Sequence, residues 1–230
     1  MSVFVTGDKH GEQEMFQLTK RRRPKPLTEG DILIIAGDFG LLWKDPPSIQ
    51  EAHWRRWLEQ SAWETLFVDG NHENFEIINK LPDTYRWGGT VGKVNDKVYH
   101  LRRGEIYEIQ EHKILTFGGA QSTDKENRCL GISWWPDEIP NYRETEHAMD
   151  NIVFHDNKVD YVITHTCPTE VANIMAGKYY GFGKLEDPTC KILSHIASMV
   201  DFKQWLFGHY HVKATLGKYR CLWHDFVKLD

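Results

Sequence analysis

Apolar and polar positions along this chain fall into blocks with two different periods. Ser2–Thr6 is a short β-branched run that stops at Gly7. Asp31–Ala36 (DILIIA) is continuously apolar between Gly30 and Gly37, the pattern of a strand buried on both faces. Thr65–Asp69 (TLFVD) reads as a third strand. Between these runs, Glu12–Lys20 suits a helix, Ile49–Gln60 reads as an amphipathic helix, and another helix is expected near Glu73–Lys80. This β-α-β-α-β order predicts a parallel or mixed sheet with helical flanks. The period then shortens. Thr90–Gly118 holds the strand-like runs TVGKV, KVYHL, EIYEI and KILTFGG, spaced like an antiparallel meander. Helix returns over Glu144–Asn157 and Asp187–Val200, and strand over Val159–Thr164 and Gln204–Phe207. The stretch to Asp230 predicts two or three more strands. Nothing resembling a linker or repeat interrupts residues 1–230, so a single domain is expected. The polar, Trp- and Pro-rich stretch 119–140 is expected to form an active-site loop or small cap.

Composition narrows the class. A chain of 230 residues with 40% hydrophobic positions can bury a core without disulfides or metals. A net charge of −5 argues against a dedicated nucleic-acid coat or membrane-surface protein. No apolar run approaches the ~18–20 residues of a spanning helix. The opening MSVFVTGDKHG enters a strand with no basic leader region or cleavage site, so the cytoplasm is the expected compartment. Cys129, Cys167, Cys190 and Cys221 show no CxxC pairing and read as reduced structural thiols. Twelve His against four Cys points toward nitrogen-rich metal or acid/base chemistry.

The chemically informative residues follow the predicted strands. They are Asp8 and His10, Gly37-Asp38, Gly70-Asn71-His72-Glu73, His165, and Gly208-His209-Tyr210-His211. Open α/β sheets bind ligands at the carboxyl ends of their strands, so these loops are expected to converge on one edge. Each signal alone is weak; their weight lies in all five occurring in order at strand termini. Competing motifs are absent: HENFE lacks the second His of a zincin, and neither GxxxxGK[ST] nor GxSxG occurs. His224-Asp225 reads as an ordinary strand-end pair.

This ordered set, D-x-H, G-D, G-N-H-[DE], H and G-H-x-H, resembles the calcineurin-like metallophosphoesterase superfamily. The resemblance implies an α/β fold of two mixed sheets sandwiched between helices, with a dinuclear metal centre at the strand ends. One ion would take Asp8, His10, Asp38 and His211. The second would take Asp38, Asn71, His165 and His209, with Asp38 bridging. A carboxylate can hold two cations about 3.5–4 Å apart. The mixed imidazole and oxygen set suits Mn, Fe, Zn or Ni, with Mn favoured. Two divalent ions outweigh Asp8, Asp38 and a bridging hydroxide, and the residual positive charge invites a phosphate. The implied reaction is hydrolysis of a phosphomonoester or phosphodiester by that hydroxide, with His72 as the general acid.

The run GDFGLLW lacks the Asp-Arg that follows G-D in the superfamily's protein serine/threonine phosphatases. The chain more closely resembles the small bacterial-type phosphoesterases. A small phosphoester or nucleotide is therefore the expected substrate; a nucleic acid is allowed but not favoured, and no membrane partner is expected. In the 119–140 loop, Lys125, Arg128, Trp134 and Trp135 either hold a phosphate or base or pack as a flap on the core. The basic run Lys20–Pro26 reads first as a solvated connection and second as a track for a nucleic-acid backbone. A non-catalytic scaffold of the same fold is the alternative from another class. Such a scaffold would be expected to lose ligands or the acid His, and this chain keeps them.

Overall fold

Strand β2 (Ile32–Ala36) shows how the layers are built. Ile32, Ile34 and Ala36 face one apolar cluster, while Leu33 and Ile35 face another. Both faces are sealed, as the unbroken apolar run predicts. The computed structural model describes residues 1–19, 27–181 and 186–230. Lys20–Pro26, the basic run, lies outside the described residues.

Two mixed sheets stack face to face. The first has the order β13-β1-β2-β3-β6-β5-β4. Its members are β1 (Val3–Thr6), β2, β3 (Glu64–Val68), β4 (Asp83–Arg86), β5 (Gly89–Lys93), β6 (Val98–Leu101) and β13 (Phe226–Lys228). The second runs β11-β12-β10-β9-β8-β7. It comprises β7 (Ile106–Ile109), β8 (His112–Phe117), β9 (Tyr161–Thr164), β10 (Gln204–Phe207), β11 (Ala214–Leu216) and β12 (Tyr219–Cys221). Strands β1, β2, β3 and β6 are parallel to one another, as are β8, β9, β10 and β12. Between the sheets lie Val5, Ile34 and Leu66 from one side and Ile114, Ile163 and Leu206 from the other. Each such side chain contributes roughly 1.5–3 kcal/mol by leaving water.

Helices cover the outer faces. On the second sheet, α3 (Tyr142–Phe154), α4 (Thr169–Met175) and α5 (Pro188–Met199) bury Ile152, Val171, Leu193 and Ile196 against Phe117, Val162 and Trp205. On the first sheet, α1 (Ile49–Glu59) adds Leu58 to a cluster with Phe4, Leu33 and Phe67. The result is the expected α/β/β/α sandwich. Local chemistry fixes the helix starts. Ser48 with Glu51, and Asn141 with Glu144, form capping boxes on α1 and α3. Asp187 caps α5 by accepting from Thr189 N, with Pro188 in the first turn.

Three local expectations change. Glu12–Lys20 is not a helix through its described part: it forms two short 3-10 turns, Gly11–Gln13 and Met15–Leu18. Met15 and Leu18, three apart, both point into the core, the spacing at which a 3-10 turn aligns side chains. The helix near Glu73–Lys80 shrinks to one turn, α2 (Phe75–Ile78), because Glu73 points inward and holds the amides of Phe39 and Gly40. The stretch Thr90–Gly118 is not one meander. It makes two hairpins, β5-β6 in the first sheet and β7-β8 in the second. The chain crosses between sheets at Arg102–Gly104, where the Arg103 side chain anchors on Asp69 at the end of β3.

Candidate metal centre

The carboxyl ends of the parallel strands meet across the sandwich in three pairs. Gly208, after β10, lies so close to Asp8, after β1, that any Cβ there would collide with the carboxylate. Gly37, after β2 and at φ 95°, meets the ring of His165, after β9, in the same way. Gly119 N, after β8, donates to Asp69 O, after β3, at 2.9 Å. The five strand-end motifs therefore share one edge, as expected.

Asp8, His10, Asp38 and His211 form a group that could hold a metal ion, with one ligand atom from each lying within 4.8 Å of the others. The remaining candidates adjoin it. His165 Nε2 lies 3.1 Å from Asn71 Oδ1, 3.2 Å from His209 Nδ1 and 3.5 Å from Asp38 Oδ1. On the other side, Asp38 Oδ2 is 3.3 Å from His10 Nε2. The two oxygens of Asp38 thus face the two halves of the cluster. All seven residues named from the strand ends come together here.

Neighbours fix which nitrogen His10 and His165 turn inward. His165 Nδ1 sits 3.0 Å from the Ala36 carbonyl and His10 Nδ1 3.1 Å from Glu14 Oε2. Both contacts are made by a protonated Nδ1, which aims Nε2 inward as the nitrogen that can ligate. Asn71 Oδ1 and His209 Nδ1 both lie within 3.2 Å of His165 Nε2, so an oxygen and two imidazole nitrogens share one space that a cation could fill. Every donor is O or N, and buried carboxylates are balanced by imidazoles. The residues therefore fit divalent transition-metal ions.

Within the cluster the carboxylates and imidazoles pair with one another: burial lowers His10, but its bond to Asp38 and the nearby carboxylates raise it to about 9. Burial pushes the Asp38 carboxyl up, but His165, His10 and His72 overcome it and hold it well below the usual range. Asp8 is also held low: burial raises it, and His165 and the bond from His211 lower it further. Burial and then His165 drive His209 down to about 4. Behind Asp8 stands Lys9, fully buried, its Nζ donating to the carbonyls of Gly7, Asp8 and Trp223 at 3.0, 2.9 and 3.2 Å. Burial lowers that ammonium to about 8.

The backbone here is strained. Among the described residues, His10, Asp38, His209 and His211 all adopt left-handed φ, at 41°, 48°, 67° and 45°. Such conformations cost of order 1–3 kcal/mol each and persist where the surroundings over-determine them. Lys9 N and His10 N both donate to the Asp38 carbonyl, at 3.1 and 2.8 Å, locking the first two loops together.

His72 stands at the edge of the cluster. Its backbone N–H is bound to Asp38 and its ring faces a cavity of about 380 Å³. Arg128 Nη2 lies 3.1 and 3.0 Å from the two ring nitrogens, and Arg128 Nε pairs with Asp124 at 2.7 Å. Burial lowers the His72 imidazolium, Asp38 opposes this, and Arg128 adds to the lowering, leaving it below its ordinary value. Thr123, Tyr180 and Tyr210 complete the cavity wall. Trp134 is partly buried under Lys125, and Trp135 is buried beside Trp43, 5.6 Å between ring centres. Those two Trp belong to the packed side of the loop, whereas Arg128 faces the cavity.

Several residues here carry no sequence signal of their own. Asp69 accepts from Arg103 Nε at 2.9 Å and Nη2 at 2.5 Å, and meets His100 Nε2 at 3.0 Å. Its position directly before Gly70 is the one hint in the sequence. His224 lies 3.8 Å from Glu14 and stacks on Trp223, outside the candidate ligand group.

This donor set at the strand ends of a two-sheet sandwich defines a candidate site for divalent ions of the metallophosphoesterase type. The family model for calcineurin-like phosphoesterases matches residues 1–213, and the chain belongs to that family. A lariat debranching enzyme from Schizosaccharomyces pombe is 22% identical over 238 aligned residues, covering 94% of this chain and 49% of that protein. The chain thus spans about half the length of the curated relative it matches. No described helix is long and apolar enough to cross a membrane.

Proposed function

We propose that this chain hydrolyses phosphoesters with two divalent ions, Mn favoured, held by Asp8, His10, Asp38 and His211 on one side and Asp38, Asn71, His165 and His209 on the other. The observation that carries this reading is Asp38 itself, with Oδ2 toward His10 and Oδ1 toward His165. When bound, the ions supply an activated water and neutralise charge on the phosphoryl oxygens. The protein does the rest. Asp38 orients the His72 backbone, so the imidazole stands beside the cluster without entering it. That ring delivers a proton to the leaving oxygen. Arg128, on the 119–140 loop, offers a fork of donors to a phosphate at the cavity mouth. The loop thereby acts as an active-site wall within a single catalytic domain.

A small phosphoester or nucleotide fits a cavity of this size. Likeness to a lariat debranching enzyme favours a second reading, a phosphodiester within a nucleic acid. Hydrolysis of p-nitrophenyl phosphate, bis-p-nitrophenyl phosphate and a branched RNA, each with Mn²⁺ and with chelator, tests both readings. Chelator-sensitive turnover supports the enzyme, and the order of rates selects the ester. Failure of all three, together with a nucleotide panel, would leave a non-catalytic scaffold.

A further inference from the structure

Asn71 presents a problem of orientation. Its amide has an oxygen that can hold a cation and a nitrogen that cannot, and the two ends are nearly the same shape. Rotating the amide by half a turn would present N–H groups to the metals. Something must define the rotamer.

Two residues of the 119–140 loop do so. Asn71 Nδ2 donates to Ser122 Oγ at 3.2 Å, while Asn71 Oδ1 points at His165 Nε2. Ser122 Oγ in turn donates to Glu138 Oε2 at 2.7 Å. Glu138 Oε1 accepts from Ser122 N at 3.1 Å and from Lys125 Nζ at 2.7 Å. Ser122 is 2% exposed and Glu138 0%, so no water competes for these bonds. The polarity of the chain follows. A carboxylate can only accept, so the single Ser122 proton is committed to Glu138. Ser122 then has only lone pairs left for Asn71, and only the NH₂ end can meet them.

We infer that Ser122 and Glu138 are positioning residues that fix the amide of Asn71 with its oxygen toward the metal site. The inference rests on Asn71 being a ligand. Partners behind a metal ligand typically set 10- to 100-fold in metal affinity.

Titration calorimetry of the metal-free full chain with Mn²⁺ tests it, with melting in chelator as the fold control. Ser122→Ala is expected to weaken one of two Mn²⁺ sites by about 10- to 100-fold and leave the other unchanged. Ser122→Thr keeps the hydroxyl and is expected to restore the parent affinity. Glu138→Gln is the sharper variant. Its amide NH₂ would take the place of Oε2 and donate to Ser122, freeing the Ser122 proton to point at Asn71 and turn the amide around. It is expected to lose affinity like Ser122→Ala despite its matching shape. Parent-like binding by Ser122→Ala, or a Ser122→Thr protein as weak as Ser122→Ala, overturns the relay. Asn71→Ala separates this from the ligand assignment. If Asn71→Ala also binds two Mn²⁺ like the parent, the ligand reading falls and the relay with it. If Asn71→Ala loses a site while Ser122→Ala and Glu138→Gln do not, the relay alone is wrong.

Discussion

The backbone amide of His72 donates to Oδ1 of Asp38 at 2.8 Å. The carboxylate at the centre of the cluster therefore sets the position of the imidazole beside it, through a backbone bond that an alanine at position 72 would keep. His72→Ala is expected to bind two Mn²⁺ per chain like the parent while kcat falls about 100- to 10,000-fold. Normal turnover in that variant would remove His72 from the chemistry.

Arg128 is the cationic side chain within 3.1 Å of both His72 ring nitrogens at the cavity. Replacing it with Ala removes charge-assisted bonds worth about 1.5–3 kcal/mol, so kcat/KM is expected to drop by about 10- to 150-fold. Most of the loss is expected in KM, with Mn²⁺ affinity unchanged. Arg128→Lys keeps the charge but loses the planar fork, and a partial loss is expected. Steady-state kinetics on p-nitrophenyl phosphate distinguishes the three proteins.

Asp38→Asn replaces one of the two carboxylate oxygens facing the halves of the cluster with a donor. The variant is expected to hold fewer than two Mn²⁺ and to lose hydrolysis. Metal analysis after gel filtration checks it; two tightly held ions would show that Asp38 does not bridge.

Arg103 is the stability prediction. It is buried and neutralises the buried Asp69, while also reaching Glu144 at 3.1 Å and the Asp137 carbonyl at 2.8 Å. Arg103→Ala leaves a buried carboxylate without its arginine, with His100 still beside it, and is expected to cost about 3–5 kcal/mol in urea unfolding. Adding Asp69→Asn is expected to recover part of that loss.

Thiol reactivity is expected to be uneven. Burial pushes Cys190 up to about 12 and raises Cys167 and Cys221 as well, whereas Cys129 is exposed. A raised pKa keeps the neutral, unreactive thiol dominant until the pH approaches it. At pH 8 an aromatic disulfide reagent is expected to titrate one thiol quickly in the native chain and four after denaturation. A second fast thiol in the native protein would contradict the burial.

Sequence pattern reaches far into this molecule because its central strands are apolar on both faces, and such runs look alike only when buried. Ile32–Ala36 and the strand-end loops after it could be placed from pattern alone. The two hairpins could not be told from one meander, since β6 and β7 carry similar residues and differ only in which sheet they join. The ligand candidates were legible as motifs because each sits beside a strand end. The support beneath them was not. Ser122, Glu138, Asp69 and Lys9 read as ordinary polar residues until the fold buries them, and the left-handed backbone at His209 and His211 has no signature in a side chain.

The pairing of strand ends across the sandwich divides the candidate donors by element. Asp8, Asp38 and Asn71, the oxygen donors, follow β1, β2 and β3 of the first sheet. His165, His209 and His211 follow β9 and β10 of the second. His10 alone crosses this division. Neither sheet carries a complete coordination shell, so bound ions would act as a clasp between the two sheets. A slide of one sheet over the other by even an ångström would register first in the ions' coordination, well before the apolar interior parted.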